Sequence, residues 1–433
     1  MSTTSLPSYI APSLTAPTYS AEPHFLEQRL ALAERIRHRP SGDFVKESKN
    51  GGVRLRLSAQ EQNATLPIYG SSDTVKGVVE LSKTTGVTSV EVQIEGRLRV
   101  KEIAEGGTSM AKLCLNTTTL WTKDAETRNT QCPTSLNFSL PLPTTFTFEE
   151  KTYPLPPSFD VKLSGLPGFI ATIDYTVTAT VAKPNGVPMP KVKSKALGIH
   201  VGTSVVSTPF IYFPRSRPAS PIPPPLVHSP AGFGLTPEWK VFESVLPSKS
   251  PVRPDIKAKI YVPASRVFCI SQSIPFHLTF ESSAVSLAAF LPLSPTANTR
   301  STLVQLMRQT TVDVRNTVIE GVKTDMWRVD CIGEGAFKHA GDGPTSISYN
   351  GEIAITDVNV PAFRAAGLSI KDCILFTINP VDPGKAAFSV LREVIPVRLS
   401  TDPWTANGTG IGRPESTQWQ SPTPPSPRDS GEH

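Results

Sequence analysis

The stretch "LPPSFDVKLSGLPGFIATIDYTVTATV", residues 155–181, opens on a proline pair and closes on a run that alternates almost perfectly. Ile173, Tyr175, Val177, Ala179 and Val181 fall on one side, and Asp174, Thr176, Thr178 and Thr180 on the other. A period of two is a β-strand with one dry and one wet face. Nothing in it resembles a nucleophile, a metal ligand or a phosphate cradle. The most regular part of the chain is built to pack, and its work has to be sought in surfaces.

The same grammar continues on either side. Val53, Leu55 and Leu57 alternate with Arg54 and Arg56. "TVKGVVELSK" (74–83) follows, then a Thr-Thr-Gly turn, then a long strand in which Val90, Val92, Ile94, Leu98 and Val100 face inward. "SLNFSLPLP" (135–143) adds a strand, and "SKALGIHVGTSVV" (194–206) closes the set. Several strands at short spacing, joined by turns rich in Gly, Pro and Thr, predict an antiparallel sandwich over 51–213.

A second β-rich block spans 255–400, from "IKAKIYVPASRVFCISQSIPFHLTF" to "EVIPVRLS". Between the blocks, residues 214–254 hold eleven prolines in 41 residues, a composition that favours polyproline II and reads as a linker. Inside it, "TPEWKVFESVL" (236–246) predicts a short helix, with Thr236 as N-cap and Pro237 at the first helical position. Residues 1–50 read as an extension outside the β units. There "AEPHFLEQRLALAERIRHR" (21–39) predicts a short basic amphipathic helix, docking on a membrane or partner or resting on the domain. The tail from Thr401 is rich in Ser, Pro and Gly and reads as disordered.

At 433 residues, two domains of about 150 to 200 residues are the natural division. The 43 prolines are about twice average usage, which argues against helical architecture. A balance of 43 basic against 37 acidic residues is mild, and no basic run or aromatic platform points to nucleic acid. Cys114, Cys132, Cys269, Cys331 and Cys373 are odd in number and widely spaced, so neither zinc nor a disulfide framework is expected. The start lacks a secretory signal pattern and no run of 18 apolar residues occurs, so a reduced, cytoplasmic protein is expected.

Catalysis is not expected either, and no cofactor. The chain has no GxSxG elbow, HExxH or Walker loop, and "GTGIG" (408–412) lies in the tail without a preceding strand. His277 and His339 show no ligand-type partners in the sequence around them.

"YGSSDTVKGVVEL" (69–81), "VEVQIEGRLRV" (90–100) and "LPPSF" followed by "IDYTVTATV" occur in an order that resembles the α-arrestin, or arrestin-domain-containing, family. Ser72 stands where that pattern often places a turn glycine. "GEIAITDVNVPAF" and "CILFTINP" are similar to a more diverged second copy. The resemblance covers about residues 51–400. It implies an all-β chain of two tandem arrestin-like, immunoglobulin-like antiparallel β-sandwiches with a proline-rich linker. It further implies an adaptor that grips the cytosolic part of a membrane transporter or receptor and brings endocytic or ubiquitin-ligase machinery to it, in transient association with the plasma membrane or endosomes. A retromer-like coat subunit or structural scaffold is the alternative.

The resemblance also marks candidates. Arg54 and Arg56 on the first strand could contact phosphorylated cargo, or be a solvated strand face. Many members recruit ligases through PPxY; none is present, and "PPSF" (156–159) has Phe159 in the tyrosine slot. "SPIPPPLV", with Pro223, Pro224 and Pro225, could dock an aromatic-lined groove or act as a spacer. Ser220, downstream of Arg215 and Arg217, suits a basophilic or proline-directed kinase and could then recruit a phosphoserine-binding adaptor. Ser421, Thr423 and Ser426 each precede proline. Lys183, Lys191, Lys193 and Lys195 surround an expected hairpin loop as ubiquitin acceptors, an anionic-lipid patch for peripheral membrane contact, or a solvated loop.

Overall fold

The computed structural model describes residues 27–30, 42–61, 64–103, 108–123, 131–164, 168–183, 203–230, 232–295, 301–315 and 323–406. Strand β1 (Glu27–Leu30) precedes a first group: β2 (Gly42–Glu47), β3 (Val53–Gln60), β4 (Ile68–Tyr69), β5 (Thr74–Leu81), β6 (Ser89–Glu102), β7 (Thr108–Thr122), β8 (Ser135–Pro141), β9 (Thr145–Phe148), β10 (Lys151–Pro154), β11 (Phe159–Leu163), β12 (Phe169–Ala182) and β13 (Thr203–Tyr212). One sheet runs β2-β3-β5-β8. The other runs β4-β13-β12-β6-β7, with β11 also on β12. Among the described residues of this first group, all pairings are antiparallel except β4 with β13.

The alternation seen in the sequence is what buries this sandwich. Along β12 every second residue is buried over its whole length, and Ile173, Tyr175, Val177, Ala179 and Val181 lie in one core with Val90, Val92, Ile94, Leu98 and Val100 of β6. Val53, Leu55 and Leu57 close it from the facing sheet. At about 25 cal/mol per Å² of apolar surface, each such side chain contributes on the order of 2 kcal/mol.

Two local devices fix the register. Leu113 is an extra residue in β7 between the pairs Gly96–Cys114 and Arg97–Lys112, so Leu113 and Cys114 are consecutive yet both buried. The turn before β5 is closed by Asp73, whose carboxylate accepts the Gly70 N–H at 2.6 Å, and Ser72 adopts φ +61° there. The conformation that favours glycine is present although the glycine is not.

The second group comprises β14 (Arg215–Pro218), β15 (His228–Ser229), β16 (Gly232–Phe233), β17 (Trp239–Leu246), β18 (Ile256–Pro263), β19 (Val267–Cys269), β20 (Ile274–Glu281), helix α1 (Ala284–Phe290), β21 (Thr302–Arg315), β22 (Lys323–Gly343), β23 (Ser346–Ile355), β24 (Arg364–Ala365), β25 (Leu368–Ile378) and β26 (Leu391–Ser400). One continuous sheet runs β17-β18-β20-β23-β22-β21-β25-β26-β19, with β24 on β25. The 21-residue β22 pairs with β21 through its first half and with β23 through its second. The sheet therefore curls over a single core that Phe276, Phe280, Phe376 and Phe388 fill. The described residues are thus almost all β, in two sandwich-like units with one short α-helix among them.

The two units meet along β21, β24 and β25 of the second, and Arg328 of β22 donates to the Lys162 carbonyl of β11 at 2.9 Å. Val312, Ala365, Ala366 and Leu368 belong to the core of the first sandwich, and Phe363 packs edge-to-face on Phe159 with centroids 5.3 Å apart. The chain leaving the first sandwich is fastened to the end of the second unit: Asp402 N–H donates to the Ser216 carbonyl at 3.0 Å, and Ser216 N–H donates to Thr401 Oγ1 at 2.9 Å.

Four expectations are corrected in whole or in part. Residues 239–246 are not a helix: β17 pairs along its full length with β18, Trp239 opposite Pro263 and Leu246 opposite Ile256. Thr236 and Pro237 instead make a turn, with Trp239 N–H donating to the Thr236 carbonyl at 3.1 Å. Tertiary pairing of a Val- and aromatic-rich segment overrides the local capping signal. Within 21–39, the residues described form strand β1, antiparallel to β14, and the remainder of that expected helix lies outside the described residues. Finally, 214–254 is no free linker. It supplies β14, β15, β16 and β17, and Arg215 to Pro218 are all buried. The expected tail from Thr401 is ordered as far as Ala406, and the rest lies outside the described residues. "GTGIG" lies there too.

Candidate protein-binding surfaces

Arg54 and Arg56 stand on the outer side of β3, as the alternation requires, but acids flank them. Arg54 holds Glu47 at 2.7 Å and Glu80 at 3.5 Å; Arg56 holds Glu80 at 2.9 Å and Asp43 at 3.4 Å. Strands β2 and β5 deliver these carboxylates by register, Glu47 and Glu80 lying opposite Arg54 on either side. A phosphate arriving here would compete with three carboxylates, and surface pairs of this kind contribute little stability.

The first sandwich leaves one long edge open. Among the described residues no strand pairs with the outer side of β7, and Met110 and Leu115 on it are 60% and 50% exposed. The bulge at Leu113 bends this edge beside a cavity of 490 Å³, lined by Lys112 to Asn116, Pro141 to Pro143 and Thr145 to Thr147. Cys114 lies in its wall, where burial pushes the thiol up to about 11 and leaves it unreactive.

The proline segment between β14 and β15 is held against the second unit. Leu226 joins Phe233, Trp239 and Tyr261 in a small separate core. His277, 3% exposed, sits between Phe233 and Trp239, both 4.6 Å away ring to ring. Its Nε2 accepts the Leu226 N–H at 3.1 Å, and its Nδ1 meets Asn350 Oδ1 at 2.6 Å, so the neutral tautomer protonated on Nδ1 satisfies both. Burial lowers its pKa, partly opposed by Asn350. His339 meets Asp342 at 2.8 Å on an exposed hairpin. The Asn350 partner of His277 is 73 positions away and hidden from the local sequence, whereas Asp342 lies only three residues from His339 and was overlooked there.

Two buried ion pairs were also missed. Arg215, 1% exposed, donates to Asp402 at 2.6 Å across 187 positions, while its Nε and Nη1 have no partner. Arg308 grips the buried Asp372 with two bonds of 2.8 and 2.9 Å and donates a third to the Val360 carbonyl, close to Phe363. Asp372 falls in phase with the inward residues Ile370 and Ile374 of β25, and a charge at an inward position is the signal that could have marked the second pair.

Of the remaining candidates, Ser220 is exposed, Pro224 and Pro225 are exposed, and Pro223 is half-buried. Lys183 is half-buried at the end of β12, and the expected hairpin with Lys191, Lys193 and Lys195 lies outside the described residues, as do Ser421, Thr423 and Ser426. Among the described residues no cluster of His, Cys, Asp and Glu could hold a metal ion, and no helix is long and apolar enough to cross a membrane. No protein-family model matches the chain, and no curated protein matches it significantly.

Proposed function

We propose that this chain is a non-catalytic adaptor of the arrestin type. It takes an extended cytosolic segment of a membrane transporter or receptor at the open edge of its first sandwich and passes that cargo to endocytic and ubiquitination machinery. The observation that carries this reading is β7: a 15-residue edge strand, unpaired on its outer side, bent by a bulge, and flanked by a cavity with room for side chains. An incoming strand gains main-chain hydrogen bonds at such an edge, and neighbouring pockets select its side chains. The motif order supports the family reading, because the three stretches fall within one sandwich, β5 in one sheet and β6, β11 and β12 paired together in the facing sheet.

A second reading, a rigid coat or scaffold subunit, is favoured by the packing of Val312, Leu368 and Phe363 into the first unit. Proximity labelling in intact cells separates the two. The adaptor reading expects transporters and ligases near the wild-type chain and their loss in Leu115→Glu, which places a charge on the open edge. A fixed set of subunits indifferent to that substitution would favour the scaffold, and soluble enzymes alone would overturn both.

A further inference from the structure

Residues 221–227, Pro-Ile-Pro-Pro-Pro-Leu-Val, lie outside any strand, helix or turn between β14 and β15. Proline fixes φ at about −65° and drives the residue before it into the extended region, so this sequence has polyproline II as its common geometry. That helix repeats every three residues, and burial here repeats with it. Leu226 is buried and Pro223 half-buried on one edge. Pro221, Pro224 and Val227, on the next, are all exposed, Val227 by 80%. The third edge carries half-buried Ile222 and exposed Pro225.

The inner edge is clamped. Trp239 Nε1–H donates to the Pro224 carbonyl at 2.9 Å, Leu226 N–H donates to His277 at 3.1 Å, and Gly234 N–H donates to the Val227 carbonyl at 3.1 Å. A spacer has no need of such clamps. A segment meant only to pack would turn its rings inward, whereas here the backbone is held and the rings of Pro224 and Pro225 face solvent.

We infer that Pro221–Val227 is a preorganised docking ridge for a partner domain whose aromatic-lined groove receives a polyproline II chain. Such a groove covers two edges of the three-sided helix; here one edge is free at Pro221, Pro224 and Val227, and the next is free at Pro225. Clamping removes the ordering cost that a flexible proline segment bears on binding. The ridge lies in the second unit, so it stands or falls independently of the β7 edge.

The test uses the full chain, a synthetic peptide of residues 219–229, and a panel of purified SH3 and EVH1 domains, each titrated calorimetrically. At least one domain is expected to bind the folded chain, about tenfold tighter than the peptide. Pro221→Ala with Pro224→Ala should abolish that binding. Both positions are exposed, so circular dichroism should be unchanged; Val227→Asp is the second variant and should weaken binding likewise. Binding of the peptide but not of the chain would mean that the ridge is masked, and would overturn the inference. So would equal affinity for the two, no binding by any domain, or full binding by both variants.

Discussion

Tyr175 lies across Gly96 on the neighbouring strand, and a β-carbon at Gly96 would stand 2.5 Å from the tyrosine ring and 3.0 Å from Cys114 Sγ. The ring is held there by its own hydroxyl, which donates to the Pro156 carbonyl at 2.6 Å inside the core. Glycine in "VEVQIEGRLRV", tyrosine in "IDYTVTATV" and the proline pair of "LPPSF" are therefore one arrangement. Gly96→Ala should cost about 1–3 kcal/mol through overpacking. Tyr175→Phe should cost about 1–3 kcal/mol by leaving Pro156 without its donor. Urea denaturation of both variants measures this, and a neutral Gly96→Ala would contradict the packing described.

Ser72 adopts φ +61°, which costs a side-chain-bearing residue strain that glycine avoids. Ser72→Gly should therefore stabilise the first sandwich by up to about 1 kcal/mol, since Asp73 already holds the turn. A lower denaturation midpoint in this variant would refute it.

These two sites show what a sequence can disclose. Period-two burial along β6 and β12 follows from side-chain direction alone, so the inward residues of the first sandwich were legible one by one. The turn at Ser72 and Asp73 was legible as a turn. Position 239–246 was not, because Thr236-Pro237 carries a genuine helix-start signal and only the partner strand β18 decides against it. Arg215 and Asp402 were illegible for a simpler reason: each is an ordinary charge in its own neighbourhood, and the 187 positions between them carry no local pattern. Arg54 and Arg56 were placed on the correct face, but two of the three acids that occupy them, Asp43 and Glu47, come from β2, a strand within residues expected to lie outside the fold.

Arg215 and Asp402 tie the exit of the first sandwich to the end of the second. Removing one partner leaves an uncompensated buried charge, so Asp402→Ala should cost about 3–5 kcal/mol, while Arg215→Met with Asp402→Leu should be nearly neutral. Thermal denaturation of the single and double variants checks the asymmetry. A double variant as unstable as the single one would mean that the pair itself, and not its burial, sustains the junction.

His277 makes the clamp on Leu226 sensitive to acid. Its folded pKa is lowered from 6.5, chiefly by burial, so the unfolded chain takes up a proton that the folded chain refuses. The stability that neutral His277 provides is complete above about pH 6.5 and falls as pH drops from there towards the lowered folded value. Protonation would also turn Nε2 into a donor facing the Leu226 N–H. Relative to His277→Gln, the wild type should lose up to about 1.4 kcal/mol per pH unit below 6.5. Parallel slopes for the two proteins between pH 5 and 7 would exclude this role.

Ser220 is exposed beside the proline ridge, yet the arginines that would commend it to a basophilic kinase are not available to be read. Arg215 is 1% and Arg217 9% exposed; Arg215 donates to Asp402 and Arg217 to Thr405 at 3.1 Å. The exposed determinant is the Ser220-Pro221 pair itself. A proline-directed kinase should therefore modify the folded chain and a peptide of residues 213–225 alike. A basophilic kinase should modify the peptide but label the chain only in proportion to opening of β14. Asp402→Ala, which loosens β14, should raise basophilic labelling selectively. Equal basophilic rates on peptide and folded chain would show that the two arginines are accessible after all, and would remove the physical reason for preferring proline-directed control.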